Sequence, residues 1–160
     1  MVLLARPRDD PDEWGRLAVR RDGKKEPLAK AVLESTQETL SKITRVAPVV
    51  VVQRLIMPET FEPADCLASA SRVGQCVVTA ASKPSTSDGY VTTLAAEEAR
   101  VHALDLNPIF CPTAPVCSPI QHRKLVWRDD HHYTVDYAAA MRAKIWASLT
   151  KTGLLGRGVR

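Results

Sequence analysis

The densest cluster of side chains able to do chemistry is the run Asp129-Asp130-His131-His132. A carboxylate three residues ahead of a histidine, held in a tight turn, can accept the Nδ1 proton and fix the tautomer, which leaves Nε2 free to take a proton from a serine hydroxyl. Asp129 and His132 have that spacing, so they are the candidate orienting carboxylate and general base. A plainer reading stands beside this one: Asp-x-x-His arises by chance, and a charged run ahead of a helix is ordinary solvated capping. Two Asp and two His are also legitimate metal ligands, with His102 and His122 elsewhere in the chain. Consecutive residues project in divergent directions, however, whereas zinc sites draw ligands at helical spacing or from separate elements. The expectation is therefore no metal and no cofactor, with a metal-dependent hydrolase using Asp129, Asp130, His131 and His132 as the alternative chemistry.

The elements around this run must position it. Val2 to Ala5 reads as a short buried strand, followed by a loop from Arg6 to Glu26. From Pro27, suited to a first helical position, the spacing of Leu28, Val32, Leu40, Ile43 and Ala47 predicts an amphipathic helix that Pro48 ends. Val49-Val50-Val51-Val52 is a β-branched block without alternation, as expected for a parallel strand covered on both faces. Residues 58 to 88 read as an irregular excursion with a helical turn near Ala64 to Arg72. Thr92 or Thr93 would then cap a helix whose Leu94, Val101 and Leu104 share a face. Asn107 to Phe110 reads as a strand and Lys124 to Trp127 as an extended piece. Thr134 would cap a last helix with Ala138, Met141, Ile145 and Leu149 as its buried stripe, terminated by Gly153. This alternation predicts an α/β fold with a parallel sheet, and it places the Asp129–His132 run between a strand end and a helix start, the edge where sites sit in such sheets.

A chain of 160 residues, 45% hydrophobic and 25% charged, is expected to form one domain. Its net charge of +4 is densest at Arg16, Arg20, Arg21, Lys24 and Lys25, where Asp22 and Glu26 intervene and no aromatic sits. That pattern predicts a solvated loop rather than a nucleic-acid surface. The longest apolar stretch, Val46 to Val52, falls far short of the roughly 20 residues of a membrane span. Met1 to Ala5 lacks the basic and apolar regions of a secretory signal, so the chain made alone is expected in the cytoplasm. Cys66 with Cys76 and Cys111 with Cys117 form two local couples, and no Cys-x-x-Cys occurs. Short loop-closing couples suggest disulfides in an oxidising compartment, although four cysteines permit three pairings and four buried thiols fit the spacing as well.

The stretch Asn107-Pro108-Ile109-Phe110-Cys111-Pro112, then Cys117, then Leu125 to Thr134 and the Ala-rich helix resembles the end of the SGNH domain that follows the membrane part of bacterial type-three-family acyltransferases. Val2-Leu3-Leu4-Ala5-Arg6 is similar to that family's Val-Leu-Ala-Ala-Arg-Trp strand, with Pro7 at the Trp position. Pro63-Ala64-Asp65-Cys66-Leu67-Ala68 is similar to its Pro-x-x-Cys-Leu-Ala segment. The resemblance spans nearly the whole chain but only the second half of a domain. It implies a three-layer sandwich with flavodoxin-like strand order whose first strands are missing, a partial domain over residues 1–153 and a frayed tail over 154–160. It implies His132 as general base and Asp129 as its carboxylate, with Asp130 and His131 as bystanders. The implied reaction moves acyl groups to cell-envelope carbohydrate hydroxyls outside the membrane, with a membrane acyltransferase domain, an acyl donor and a carbohydrate acceptor as partners. The family's nucleophile lies in a Gly-Asp-Ser block, which this sequence lacks. A non-catalytic fragment or binding module is therefore the alternative to an enzyme.

Overall fold

The computed structural model describes residues 2–4, 16–20, 22–58, 60–80 and 86–154. The expected strand residue Ala5, the first part of the loop from Arg6 and residues 155–160 of the tail lie outside the described residues. The chain opens with β1 (Val2–Leu4), β2 (Leu17–Val19), β3 (Lys25–Pro27), α1 (Leu28–Thr44) and β4 (Val49–Val52). There follow α2 (Pro63–Ser69), β5 (Val78–Thr79), α3 (Thr86–Glu97), β6 (Val101–Leu104) and α4 (Asn107–Phe110). The chain ends with β7 (Val116–Cys117), β8 (Ile120–Gln121), β9 (Lys124–Leu125) and α5 (Val135–Lys151). These elements divide into two compact units, one of residues 1–54 and 84–104, the other of residues 55–83 and 105–160.

The first unit is α/β. Its sheet has the order β1-β4-β6 with every pair parallel, Val2 opposite Val49 and Val49 opposite Val101. Val49, Val50 and Val51 of the central strand are all buried whichever face they point to, which is why the run shows no alternation. Val49, Val51 and Val101 pack with Leu40 of α1 and with Val91 and Leu94 of α3 into one core cluster. Pro27 closes β3 and precedes the helix, which begins at Leu28; the helix ends at Thr44, four residues before Pro48.

Three expectations fail here. Val101 to Leu104 is not the end of a helix, and neither Thr92 nor Thr93 caps one: α3 runs from Thr86 to Glu97, with both threonines in its interior, and 101–104 is the third parallel strand. Val101 and Leu104 are three apart and both buried, so their spacing suits either structure, and pairing with β4 decides between them. The loop read over Arg6 to Glu26 holds a hairpin, β2 with β3, whose turn carries Gly23 at φ +80. Of the basic cluster, Arg20 meets Glu26 and Glu34, and Lys24 lies 3.4 Å from Asp22; Lys30 of α1 lies near the same two glutamates.

The second unit is built from short hairpins and helices. The excursion over 58–88 contains α2 and a 3-10 turn at Val73–Cys76, joined by a Cys66–Cys76 disulfide. A second disulfide, Cys111–Cys117, closes the loop between α4 and β7. Asn107–Phe110 is a one-turn helix and not a strand. The Asp105 carboxylate accepts the Asn107 N–H at 2.8 Å, and Pro108 supplies a helical φ in the first turn, two local signals that favour a helix over extended chain. Thr134 does cap α5, its hydroxyl accepting from Tyr137 N at 3.3 Å, and Gly153 follows at φ +72. The buried face of α5 carries Tyr137, Met141 and Leu149, with Ala138 and Ile145 half-buried.

Candidate active site

The residues ahead of the Asp129–His132 run are not a strand of the parallel sheet. β9 pairs with β8 in a small antiparallel hairpin, and the chain then folds back on itself. Trp127 and Tyr133 form an antiparallel bridge, flanked by bonds from Thr134 N to Val126 O and from Arg128 N to His132 O, both 2.8 Å. This makes Trp127 and Tyr133 a non-hydrogen-bonded pair, with side chains close together on one face. Alternation then sends Arg128 and His132 to the other face. Burial follows the same division: Trp127 is 0% exposed, whereas the His132 side chain is 61% exposed.

The turn brings Asp129 and His132 together. His132 Nδ1 lies 2.8 Å from Asp129 Oδ1 and 3.0 Å from Oδ2. Since an ionised carboxylate only accepts, Nδ1 carries a proton, and in the neutral ring Nε2 is then the nitrogen with the lone pair. Asp129 is further held by His131 N at 2.9 Å and Arg128 Nε at 2.9 Å. Partial burial pushes its carboxyl up, but the bonds from His131 N, Arg128 and His132 outweigh that and hold it well below the usual carboxylate range. The other two members pair with each other, His131 Nδ1 with Asp130.

A pH prediction follows from this carboxylate. Its folded pKa lies below the unfolded value of about 3.9, so its contribution to stability is complete above that pH and is lost as pH falls through the folded value. Melting temperatures of the wild type and Asp129→Asn are expected to differ most above about pH 4 and to converge in acid. A wild-type advantage unchanged down to about pH 2 would show that these bonds do not hold the carboxylate ionised.

Asp129, Asp130 and His131 offer one ligand atom each within 4.8 Å of one another, the one such group among the described residues. His132 is outside it, His102 sits in β6 opposite Val50, and His122 occupies the β8–β9 turn at φ 50. A metal drawn to this group would compete with the bonds that Asp129 already makes to His132, His131 N and Arg128.

Several residues that the sequence did not single out hold the turn from below. Trp127 Nε1 donates to Ile56 O at 3.0 Å and Tyr133 Oη donates to the same oxygen at 2.9 Å. Tyr133 stacks on Phe110 with ring centroids 4.3 Å apart and lies 6.4 Å from Tyr137. Tyr137 Oη donates to Gln121 Oε1, and Gln121 Nε2 donates to Phe110 O, both at 2.9 Å. Burial raises the Tyr133 and Tyr137 pKa values, so both phenols stay protonated donors. The legible signal was Trp127 and Tyr133 flanking a polar run, as an apolar pair does at the neck of a hairpin.

The family model for the SGNH domain, described as fused to AT3 domains, matches residues 4–147. The chain belongs to this family. No curated protein and no solved structure matches it. The matched span of the SGNH domain runs from the end of β1 into the last turns of α5 and so contains the Asp129–His132 turn and both disulfides. Membership places the chain among hydrolase-like and acyltransferase-like domains. Among the described residues of this SGNH domain, no helix is long and apolar enough to cross a membrane.

Proposed function

We propose that this chain carries the acid-base half of an SGNH-type site for O-acyl transfer or acyl-ester hydrolysis, with His132 as base and Asp129 as its orienting carboxylate. The supporting observation is the pair itself: a carboxylate held ionised by three donors grips Nδ1 and leaves Nε2 as the acceptor. The nucleophile is a serine from a Gly-Asp-Ser block that these 160 residues do not contain. His132 Nε2 takes the serine proton as Oγ bonds to the acyl carbon, and the protonated imidazole then returns that proton to the departing donor oxygen. A carbohydrate hydroxyl, deprotonated in its turn, attacks the acyl-serine, and the serine leaves with the proton.

In this reading the acceptor is a cell-envelope carbohydrate, the acyl donor arrives through a membrane acyltransferase domain of the same protein, and the work is done outside the cytoplasmic membrane. Fusion to AT3 domains in the family and the two disulfides support that placement. In this reading the parallel sheet of β1, β4 and β6 is part of a three-layer sandwich of flavodoxin-like order, to which the serine-bearing segment contributes further strands.

Joining the chain in frame to an SGNH segment that supplies the Gly-Asp-Ser block tests the proposal. The chain alone is expected to leave a small activated acetate ester at its background hydrolysis rate, with or without added metal, whereas the joined protein turns it over. Turnover by the chain alone that requires metal would favour the Asp129, Asp130 and His131 group instead, and a folded but inactive joined protein would favour a non-catalytic module.

A further inference from the structure

The ladder that carries the Asp129–His132 turn is short. Two backbone hydrogen bonds, Thr134 N to Val126 O and Arg128 N to His132 O, flank its one bridge. A slip of one residue would exchange the faces, turning His132 inward and Tyr133 out to solvent. Something beyond the ladder must fix its register.

We infer that Tyr133 and Trp127 are positioning residues for His132, because their two donors converge on one backbone acceptor, the Ile56 carbonyl, and so fix which face of the turn carries the Asp129–His132 pair. A carbonyl has two lone pairs, and here both are taken by side chains from opposite strands of the turn, 3.0 Å from Trp127 Nε1 and 2.9 Å from Tyr133 Oη. The acceptor is itself held, since Ile56 N donates to Asn107 Oδ1 at 2.8 Å. α4 therefore acts twice. Asn107 fixes the Ile56 peptide, and Phe110 stacks on the Tyr133 ring whose hydroxyl reaches that peptide. If either donor leaves, the Trp127–Tyr133 bridge keeps only half of its anchor on Ile56 O, and the position of His132 relative to Asp129 depends more on the ladder. The catalytic meaning of this device rests on the proposed role of His132, but the geometry it controls is measurable without turnover.

The experiment reads the ring nitrogen shifts of His132 in the 160-residue protein labelled with 15N-histidine, at a pH where the imidazole is neutral. The wild type is expected to show a dominant Nδ1–H form. Tyr133→Phe keeps the stacked ring and removes one hydroxyl, while Asn107→Ala frees the Ile56 peptide from its other side. Both are expected to lose that dominance and shift toward the mixed tautomers of an unheld imidazole. Tyr137→Phe is the control, because it removes a hydroxyl from the same aromatic group that does not reach Ile56. A response to Tyr133→Phe or Asn107→Ala with none to Tyr137→Phe supports the inference. Unchanged His132 signals in both variants, or an equal response to Tyr137→Phe, would overturn it. A joined protein that stays inactive while His132 responds in this way would refute acyl transfer and leave the positioning role standing. An active joined protein with an unresponsive His132 would do the reverse.

Discussion

His132→Ala in the joined, serine-bearing protein is expected to lower kcat by about 10³-fold or more, down to what binding and the oxyanion donors sustain alone. Asp129→Asn keeps the shape of the side chain but can donate to Nδ1, which favours the wrong tautomer. A loss of about 10²- to 10⁴-fold is expected, mostly in kcat. His131→Ala should stay within about 3-fold of the parent, since its ring pairs with Asp130 and its bond to Asp129 comes from the backbone N–H, which alanine keeps. The contrast between two adjacent histidines is the diagnostic. A metal centre built on Asp129, Asp130 and His131 would make His131→Ala the damaging change, with partial rescue by added metal. Steady-state kinetics on an activated acetate ester reads all three variants, and equal sensitivity to the two histidines would sink the assignment.

Trp127→Ala is expected to be the most destabilising single change in the site. The side chain is 0% exposed, belongs to the neck of the turn and donates to Ile56 O. Removing a fully buried Trp costs about 3–5 kcal/mol through lost contacts and the cavity left behind. Ile56 O keeps the Tyr133 hydroxyl as a donor, so the loss at that carbonyl is partial. Against a total stability of roughly 5–15 kcal/mol, this is enough to leave a large unfolded fraction. Trp146→Ala supplies the comparison, because that ring is 59% exposed on α5 and its removal should stay within about 0.5 kcal/mol. Urea unfolding of the three proteins measures the difference. A Trp127→Ala loss below about 1 kcal/mol would mean that the ring is not packed as described.

Much of what the sequence carried was local. The valine block could only be a strand buried on both faces, because four β-branched residues in a row suit a sheet and leave no polar side for water. Thr134 ahead of an Ala-rich stripe and Gly153 behind it marked α5, because caps act within a turn of the residues they satisfy. The spacing of Asp129 and His132 was likewise legible, since three residues of tight turn suffice to bring the two side chains into contact.

Tertiary structure decided the rest. Val101 to Leu104 fits a helix face or a strand equally well until β4 offers it a parallel partner more than forty residues away in sequence. Asn107 to Phe110 is the exception: its apolar residues suit a strand, but two local signals, the Asp105 carboxylate and Pro108, favour the helix it forms. The anchor beneath the candidate site is a backbone carbonyl, Ile56 O, and no residue type announces a carbonyl. The sequence by itself determined which side chains could work as a pair, because that depends on residue type and short spacing. Only the fold decided which face of the turn they occupy and what holds them there, because those depend on contacts between residues about 70 or more positions apart.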